Sequence, residues 1–143
     1  MPSISLSDTV KTVLERKLVS VFKTKLFHDW QKKEDFPDKS LCAAVDEMSR
    51  GLVDANLGGG LVKKRIARPG AGKSSGFRTL LATNKNDKWF FVYGFAKNDR
   101  DNIENQELLA LKRLAAVLLG MDAIAINKLL ADKELKEICK NEK

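Results

Sequence analysis

Residues 61–96 read LVKKRIARPGAGKSSGFRTLLATNKNDKWFFVYGFA, and this stretch decides the fold. Strand-forming residues fill three runs of it, at 61–67, 76–83 and 88–96, and polar loops separate the runs. Glycine, proline, asparagine and aspartate in those loops are typical of turns between antiparallel strands. The segment WFFVY at 89–93 is apolar or aromatic at every position, so we expect a central strand that protein covers on both sides.

Helical patterns surround this three-stranded meander. Apolar residues recur every three to four positions in four segments, which predicts amphipathic helices. These segments are residues 5–17, 25–33, 41–52 and 102–119. Asn102 is the expected N-cap of the last helix and Gly120 its end. Residues 18–22 predict one more strand, and residues 122–139 predict further helical turns. Together the patterns predict an α+β domain whose helices pack on one face of a mostly antiparallel four-stranded sheet.

The composition is that of one ordinary globular domain. The chain has 143 residues, 43% of them hydrophobic and 31% charged, and no apolar run reaches the ~18 residues of a membrane span. We expect no signal peptide, because residues 1–20 mix charges with apolar residues. Cys42 and Cys139 stand far apart, so we expect no disulfide framework and a reducing, cytoplasmic location. The single histidine, His28, excludes a multi-histidine metal site.

The net charge of +7 is concentrated in one part of the sequence. Residues 61–100 hold ten lysines and arginines against Asp87 and Asp99, a net charge of +8. The other residues comprise sixteen basic and seventeen acidic ones, a net charge of −1. A localised positive surface attracts polyanions such as nucleic acids. A basic surface that only confers solubility is the alternative.

One loop matches a loose phosphate-binding pattern. Residues 67–74 read ARPGAGKS, with alanine where the first glycine of such a loop usually stands. That loop holds a nucleotide phosphate because a helix begins at its lysine, yet residues 75–81, SGFRTLL, predict a strand. We therefore expect a flexible basic loop, with Lys73 following a phosphate backbone, rather than a nucleotide site.

Two neighbouring strands carry a cluster of cations. The first strand holds Lys63, Lys64, Arg65 and Arg68, and the second holds Arg78. Because side chains alternate between the two faces of a strand, Lys63 and Arg65 share one face while Lys64 and Arg68 share the other. One set lies on the core side, and the other presents a basic surface that can hold adjacent phosphates, with arginine as a planar fork for their oxygens. Lysines that protect an edge strand from aggregation are the alternative.

The third strand leads into a polar turn before the last predicted helix. Lys97, Asn98 and Arg100 in this turn can reach a phosphate bound over the sheet, because loops at strand ends are free to face ligands. Tyr93 and Phe95 precede the turn and either stack on a base or pack in the core. This turn is the second place where the sequence predicts contacts with a polyanion.

These motifs together resemble a known family. Residues 57–80, LGGGLVKKRIARPGAGKSSGFRTL, and residues 93–103, YGFAKNDRDNI, are similar to RelE/HigB-like toxins of bacterial type II toxin–antitoxin systems. The resemblance implies a RelE-like toxin domain at residues 21–119. It also implies that residues 1–20 are an N-terminal extension and residues 120–143 a C-terminal helical tail.

The resemblance implies a ribosome-dependent mRNA endoribonuclease that inhibits translation and that a cognate antitoxin neutralises. In such enzymes the RNA 2′-hydroxyl attacks the adjacent phosphate without a metal or other cofactor, while cations stabilise the developing charge. By position, Arg78 matches the phosphate-stabilising arginine, Lys63, Lys64 and Arg65 match the basic strand, from which a lysine acts as base, and Lys97 and Arg100 match the last basic cluster. The implied catalytic residues are Lys64, Arg78, Lys97 and Arg100. The implied RNA-binding residues are Lys63, Arg65, Arg68, Lys73, Tyr93 and Asn98.

One position departs from the family pattern. RelE places a tyrosine near the start of the last helix, where this chain has Glu104 and no aromatic residue between Asn98 and Gln106. Either another group acts in its place, or Glu104 takes the acid–base role, or the activity is weak. Two other functions stay open: a non-catalytic module of this fold that binds RNA or protein, and a ParE-like toxin that acts on gyrase.

Overall fold

The computed structural model describes residues 19–68, 70 and 76–140. Within them, the strands are β1 (Ser20–Thr24), β2 (Ala55–Gly58), β3 (Leu61–Ile66), β4 (Phe77–Thr83), β5 (Lys88–Ala96) and β6 (Leu135–Ile138). The helices are α1 (Lys25–Glu34), α2 (Asp38–Ser49), α3 (Asn105–Leu119) and α4 (Ala123–Ala131). The helix expected at residues 5–17 lies outside the described residues, and so does Lys73.

The six strands form one sheet in the order β2-β3-β4-β5-β1-β6. β1 and β5 pair in parallel, and every other neighbouring pair is antiparallel. The predicted meander of β3, β4 and β5 is confirmed. The expected number of four strands is wrong, because β2 and β6 add a strand at each edge. Both have only four residues, too few for a clear alternating pattern in the sequence.

Helices cover both faces of the sheet, so the expectation of helices on a single face is wrong. On what we call the first face, α1 and α2 contribute Phe27 and Leu41 to one apolar cluster. On the second face, α3 and α4 contribute Leu111 and Ile126 to another. The segment WFFVY at 89–93 supplies both clusters, as its sequence predicts. Trp89 and Phe91 join the first, and Phe90, Val92 and Tyr93 join the second, because the β4–β5 register shifts at this point. Periodicity shows that a helix is amphipathic but not which face of a sheet it covers.

The ends of the helices follow local hydrogen bonds. The stripe predicted in α2 is buried as expected, at Leu41, Ala44, Val45 and Met48. α3 begins later than expected, because its N-cap is Glu104 rather than Asn102. The backbone N–H of Glu104 donates to Glu107 Oε1 at 2.9 Å, which is one half of a capping box. Gly120 ends α3 as predicted.

The chain returns to the sheet after Gly120. α4 is followed by β6, which pairs with β1 and places Ile138 opposite Val21. Cys139, directly after β6, forms a disulfide with Cys42 of α2. The expectation of no disulfide is therefore wrong. The disulfide joins residues 97 positions apart, and the pairing of β6 with β1 joins residues still farther apart, so no local pattern in the sequence signals either contact.

Gly94 lets α1 approach the end of β5 closely. A Cβ atom at Gly94 would lie 2.3 Å from Cζ3 of Trp30, far inside van der Waals contact. The Trp30 ring packs edge-on against Phe36 and Phe77, each with a centroid distance of 5.5 Å. These contacts fix β4 and β5 relative to each other where both strands end, next to the site described below.

Candidate functional site

Three neighbouring strands place two arginines and an aromatic ring in one row. Arg65 of β3 lies opposite Arg78 of β4, and Arg78 lies opposite Phe95 of β5. Residues directly opposite each other in a sheet project from the same face. The two arginines, which lie 13 positions apart in the sequence, are therefore neighbours across the sheet, with both side chains on one face. We call Arg65, Arg78 and Phe95 the arginine row.

The neighbouring row shows which face carries these cations. It pairs Lys63 with Leu80 and Leu80 with Tyr93. Leu80 is fully buried in the apolar cluster under α3 and α4, so both rows lie on the second face. α3 thus covers the apolar part of this face, and the arginine row lies beside the start of the helix.

The charges in the arginine row have different surroundings. Asp54 binds Arg65 from the edge of the sheet, with its Oδ1 3.1 Å from Arg65 Nε, and its Oδ2 accepts the Arg65 backbone N–H at 2.7 Å. The Arg65 side chain is 45% exposed, and exposed ion pairs contribute only about 0–1 kcal/mol, so a polyanion can compete for it. Arg78 is 8% exposed. The row therefore combines one exposed arginine with one buried arginine.

Two of the predicted cations lie on the other face. Lys64 is buried on the first face, where its Nζ is 2.7 Å from Glu47 Oε1 and donates to the Leu52 carbonyl at 2.9 Å. The Arg68 guanidinium stacks over the Phe77 ring at 4.7 Å from the centroid. The structure therefore separates Lys64 and Arg68 from Arg78. It brings Lys63, Arg65 and Arg78 together on the second face. The alternation along the strand is the one that the sequence predicts.

The turn between β5 and α3 contains a compact polar cluster around Arg100. Glu107 binds both terminal nitrogens of Arg100, with Nη2 at 2.5 Å from Oε1 and Nη1 at 3.1 Å from Oε2. The Tyr93 hydroxyl donates to Glu107 Oε2 at 3.2 Å and accepts from Arg100 Nη1 at 3.2 Å. Arg100 also lies over the Phe95 ring at 5.4 Å from its centroid. This cluster joins the turn to the arginine row through Phe95.

The protonation of the cluster follows from its contacts. The hydrogen bond from Arg100, and then that from the Glu104 backbone, lower the pKa of Glu107 to about 2. Burial raises the pKa of Tyr93, and the Glu107 charge raises it further. At neutral pH the glutamate is therefore ionised and the phenol is protonated.

The other residues of the turn are exposed. Lys97 and Asn98 extend from the end of β5, and the Lys97 backbone N–H donates to the Gly76 carbonyl at 3.0 Å. That bond holds the turn beside the start of β4. Glu104, the candidate for an acid–base role, is exposed at the N-cap of α3, and the Arg100 cluster contacts it through its backbone.

Two site residues differ from the sequence-based expectation: Glu107, which the sequence patterns did not indicate, and Phe95, for which they left two roles open. The sequence leaves Phe95 as either a stacking or a core residue, and the structure buries it within the arginine row. Glu107 stands three positions after Glu104, the spacing of a capping box. That spacing could have found it, but serine and threonine are the usual first residues of the motif, so the glutamate pair gave a weak signal.

Two further structural properties concern metals and membranes. Among residues 19–68, 70 and 76–140, no group of three or more histidine, cysteine, aspartate or glutamate side chains is placed to hold a metal ion. In the same part of the chain, no single helix is long and apolar enough to cross a membrane. α3 and α4 meet that criterion only as a pair, bent by 113° between them.

The fold and the site define a class of protein: a small α+β domain with cations arranged across an antiparallel meander. The sequence model of one family, described as the RelE toxin of the RelE / RelB toxin–antitoxin system, matches residues 19–138. Because the match spans most of the chain, the protein belongs to the RelE toxin family, which confirms the resemblance. Family membership implies an antitoxin as partner. A comparison with curated proteins finds no match.

Proposed function

We propose that this RelE-family toxin is a ribosome-dependent endoribonuclease that cuts mRNA in the cytoplasm and so inhibits translation until its antitoxin binds. The observation that carries the proposal is the arginine row, in which Arg65 and Arg78 lie opposite each other on one face. Each guanidinium carries parallel N–H donors, which suit the non-bridging oxygens of a phosphodiester.

The proposed reaction is a transesterification within the RNA. The 2′-oxygen forms a bond to the adjacent phosphorus while the bond from phosphorus to the 5′-oxygen breaks, leaving a cyclic phosphate and a free 5′-hydroxyl. One proton leaves the 2′-hydroxyl and one is delivered to the departing 5′-oxygen. Negative charge grows on the non-bridging oxygens in the transition state, and cations held in place before the reaction stabilise it. Arg78 has this role in the proposal, and Arg65 supports it.

The remaining roles follow from the faces of the sheet. Glu47 and the Leu52 carbonyl hold Lys64 on the first face. The resemblance implies that a lysine of this strand acts as the base, and we therefore assign this role to Lys63 on the second face. Lys97 and Asn98 are exposed beside the start of β4 and contact phosphates next to the cleaved bond, together with Lys73. Tyr93 stays protonated at neutral pH, which suits a hydrogen-bond donor rather than a base.

The decisive experiment is induced expression followed by mapping of mRNA 5′ ends in cells. We expect new ends at codon positions in wild-type cells, and a loss of about 10²-fold or more in cleavage for Arg78→Ala, comparable to removal of one oxyanion donor. Arg50→Ala is the matched control, because Arg50 is an exposed arginine at the end of α2. It should cleave like the wild type.

Other outcomes assign the protein to the other functions. Growth arrest with damaged DNA and intact mRNA would identify a gyrase-directed toxin. Absence of toxicity from a folded protein would identify a non-catalytic binding module. Cleavage by Arg78→Ala at the wild-type rate would remove Arg78, and with it the arginine row, from the reaction.

A further inference from the structure

We infer that Glu107 is a positioning residue, which holds Arg100 in a fixed orientation next to the arginine row and acts on RNA only through Arg100. The inference rests on the proposed function for the activity that it affects. Its structural basis is the geometry of the Arg100 cluster, which is independent of any reaction.

The hydrogen bonds of Arg100 leave it little freedom. A guanidinium has five N–H groups, and four contacts engage it: two with the Glu107 carboxylate, one with the Tyr93 hydroxyl and one with the Asn102 carbonyl. At most one N–H, on Nη2, is left for a ligand. Arg100 therefore cannot grip a phosphate with two parallel bonds in this arrangement, and it offers at most one donor in a defined direction.

Glu107 is itself anchored to two elements. It stands in the first turn of α3, where its carboxylate accepts the Glu104 backbone N–H at 2.9 Å. The positive end of the helix dipole favours a carboxylate there. On the other side it accepts a hydrogen bond from Tyr93 of β5. The carboxylate thus joins β5 to α3 and fixes Arg100 between them.

The Phe95 ring connects this assembly to the arginine row. Phe95 lies opposite Arg78 in the sheet, and Arg100 lies over the Phe95 ring. Arg100 therefore continues the row of Arg65 and Arg78 on the far side of the ring. If Glu107 were removed, the guanidinium would lose its bidentate partner and its direction relative to Arg78.

An acid–base role for Glu107 makes a different prediction from a positioning role. A general base or acid is effective when its pKa lies near the working pH. The pKa of Glu107 lies far below neutral pH. Substitution of a positioning residue should lower kcat at every pH and leave the shape of the pH profile unchanged. Substitution of an acid or base would remove one limb of the profile.

The test is a double-mutant cycle with Glu107→Gln and Arg100→Lys, measured as mRNA cleavage on purified ribosomes. We expect Glu107→Gln to lower kcat by about 10-fold to 10²-fold, as for a misplaced catalytic group, with KM close to the wild-type value. Combined with Arg100→Lys, it should cause no further loss. Glu134→Gln, at the exposed glutamate before β6, is the control and should behave like the wild type.

A second readout does not depend on cleavage. In the NMR spectrum of arginine side chains, the Nη–H groups of Arg100, which donate to Glu107, should give sharp, slowly exchanging signals that Glu107→Gln broadens or removes. Full activity of Glu107→Gln, additive losses in the cycle, or an unchanged Arg100 signal would each overturn the inference. A wild-type protein that does not cleave mRNA, but whose Arg100 signal responds to Glu107→Gln, would overturn the proposed function and keep the positioning role.

Discussion

The two faces of the sheet use the same kind of residue in opposite ways. On the first face, Lys23 is buried and its Nζ lies 2.6 Å from Asp38 Oδ1 and 2.9 Å from Gln31 Oε1, and Lys64 is held by Glu47. On the second face, the arginine row and Lys63 lie on the same strands as the apolar cluster that α3 covers, next to its residue Leu80. Adjacent lysines of one strand, Lys63 and Lys64, thus belong to different environments.

The difference comes from the helices. α2 brings Asp38 and Glu47 over the first face, so each buried lysine there has a carboxylate partner. α3 faces the sheet with Leu111, Ala115 and Leu118, and its acidic residue over the site, Glu107, is bound to Arg100. The acids of α2 thus hold the buried lysines of the first face, whereas Asp54, directly before β2, binds Arg65 on the second face.

Substitution of the two adjacent lysines should separate these roles most clearly. Lys64→Met removes a buried ammonium group and its hydrogen bonds to Glu47 and the Leu52 carbonyl. Hydrogen bonds to charged groups contribute about 1.5–3 kcal/mol each, so we expect the free energy of unfolding to fall by about 3–5 kcal/mol. Lys63→Met changes a half-buried residue without such a partner among the described contacts, so we expect a stability change within about 0.5 kcal/mol. Urea unfolding of both variants measures the difference.

RNA binding should respond to the same two variants in the reverse order. Lys63→Met should weaken binding of single-stranded RNA and reduce the slope of log affinity against log salt by roughly 0.7, the value for one phosphate contact. Lys64→Met should leave that slope unchanged while it remains folded. If Lys64→Met lowered the slope instead, Lys64 would contact RNA and the assignment of the faces would be wrong.

The disulfide of the first face gives the next largest expected effect. Cys42→Ser should lower the free energy of unfolding by about 2–4 kcal/mol, because the bond restricts the unfolded chain. Reductant should destabilise the wild type by a similar amount and leave the variant unaffected. The arginine row lies on the other face, so RNA affinity should stay constant. Equal stability of the wild type with and without reductant would show that the bond contributes nothing.

Acid should affect one carboxylate on each face. Burial raises the pKa of Asp38, but hydrogen bonds from Lys23 and Gln31 lower it by more, and the pKa of Glu107 falls from 4.5 to about 2. A carboxyl with a lowered pKa stabilises the fold fully above its ordinary pKa, and this contribution is lost as the pH falls through the folded value. Glu107→Gln should therefore flatten the dependence of stability on pH between about 4.5 and 2.

The matched comparison is Asp38→Asn on the first face. It should also flatten the dependence of stability on pH in acid, because the asparagine amide has no charge that acidification could remove. Unfolding followed by circular dichroism over this pH range measures both variants. An acid limb as steep as that of the wild type in Glu107→Gln would mean that the Arg100 contact does not stabilise the fold.

Local sequence patterns predict the elements of this molecule that depend on neighbouring residues. The stripe at Leu41, Ala44, Val45 and Met48 gives α2, and the alternation from Lys63 to Arg68 gives the two sets of cations. The sequence does not show which helix covers which set, because that depends on the acids of α2, which lie far away along the chain. β6 and the disulfide escape prediction for the same reason. Their partners, β1 and α2, are remote in sequence.

The bond between Cys42 and Cys139 closes a covalent ring that contains β2, β3, β4, β5, α3, α4 and β6. A protease that cuts the backbone once anywhere inside this ring produces two polypeptides that remain joined. The nicked protein would keep its original mass on a gel run without reductant and would separate into fragments only after reduction. Release of any piece of the ring from the oxidised toxin therefore needs two cuts within the ring, or one cut and a reducing agent.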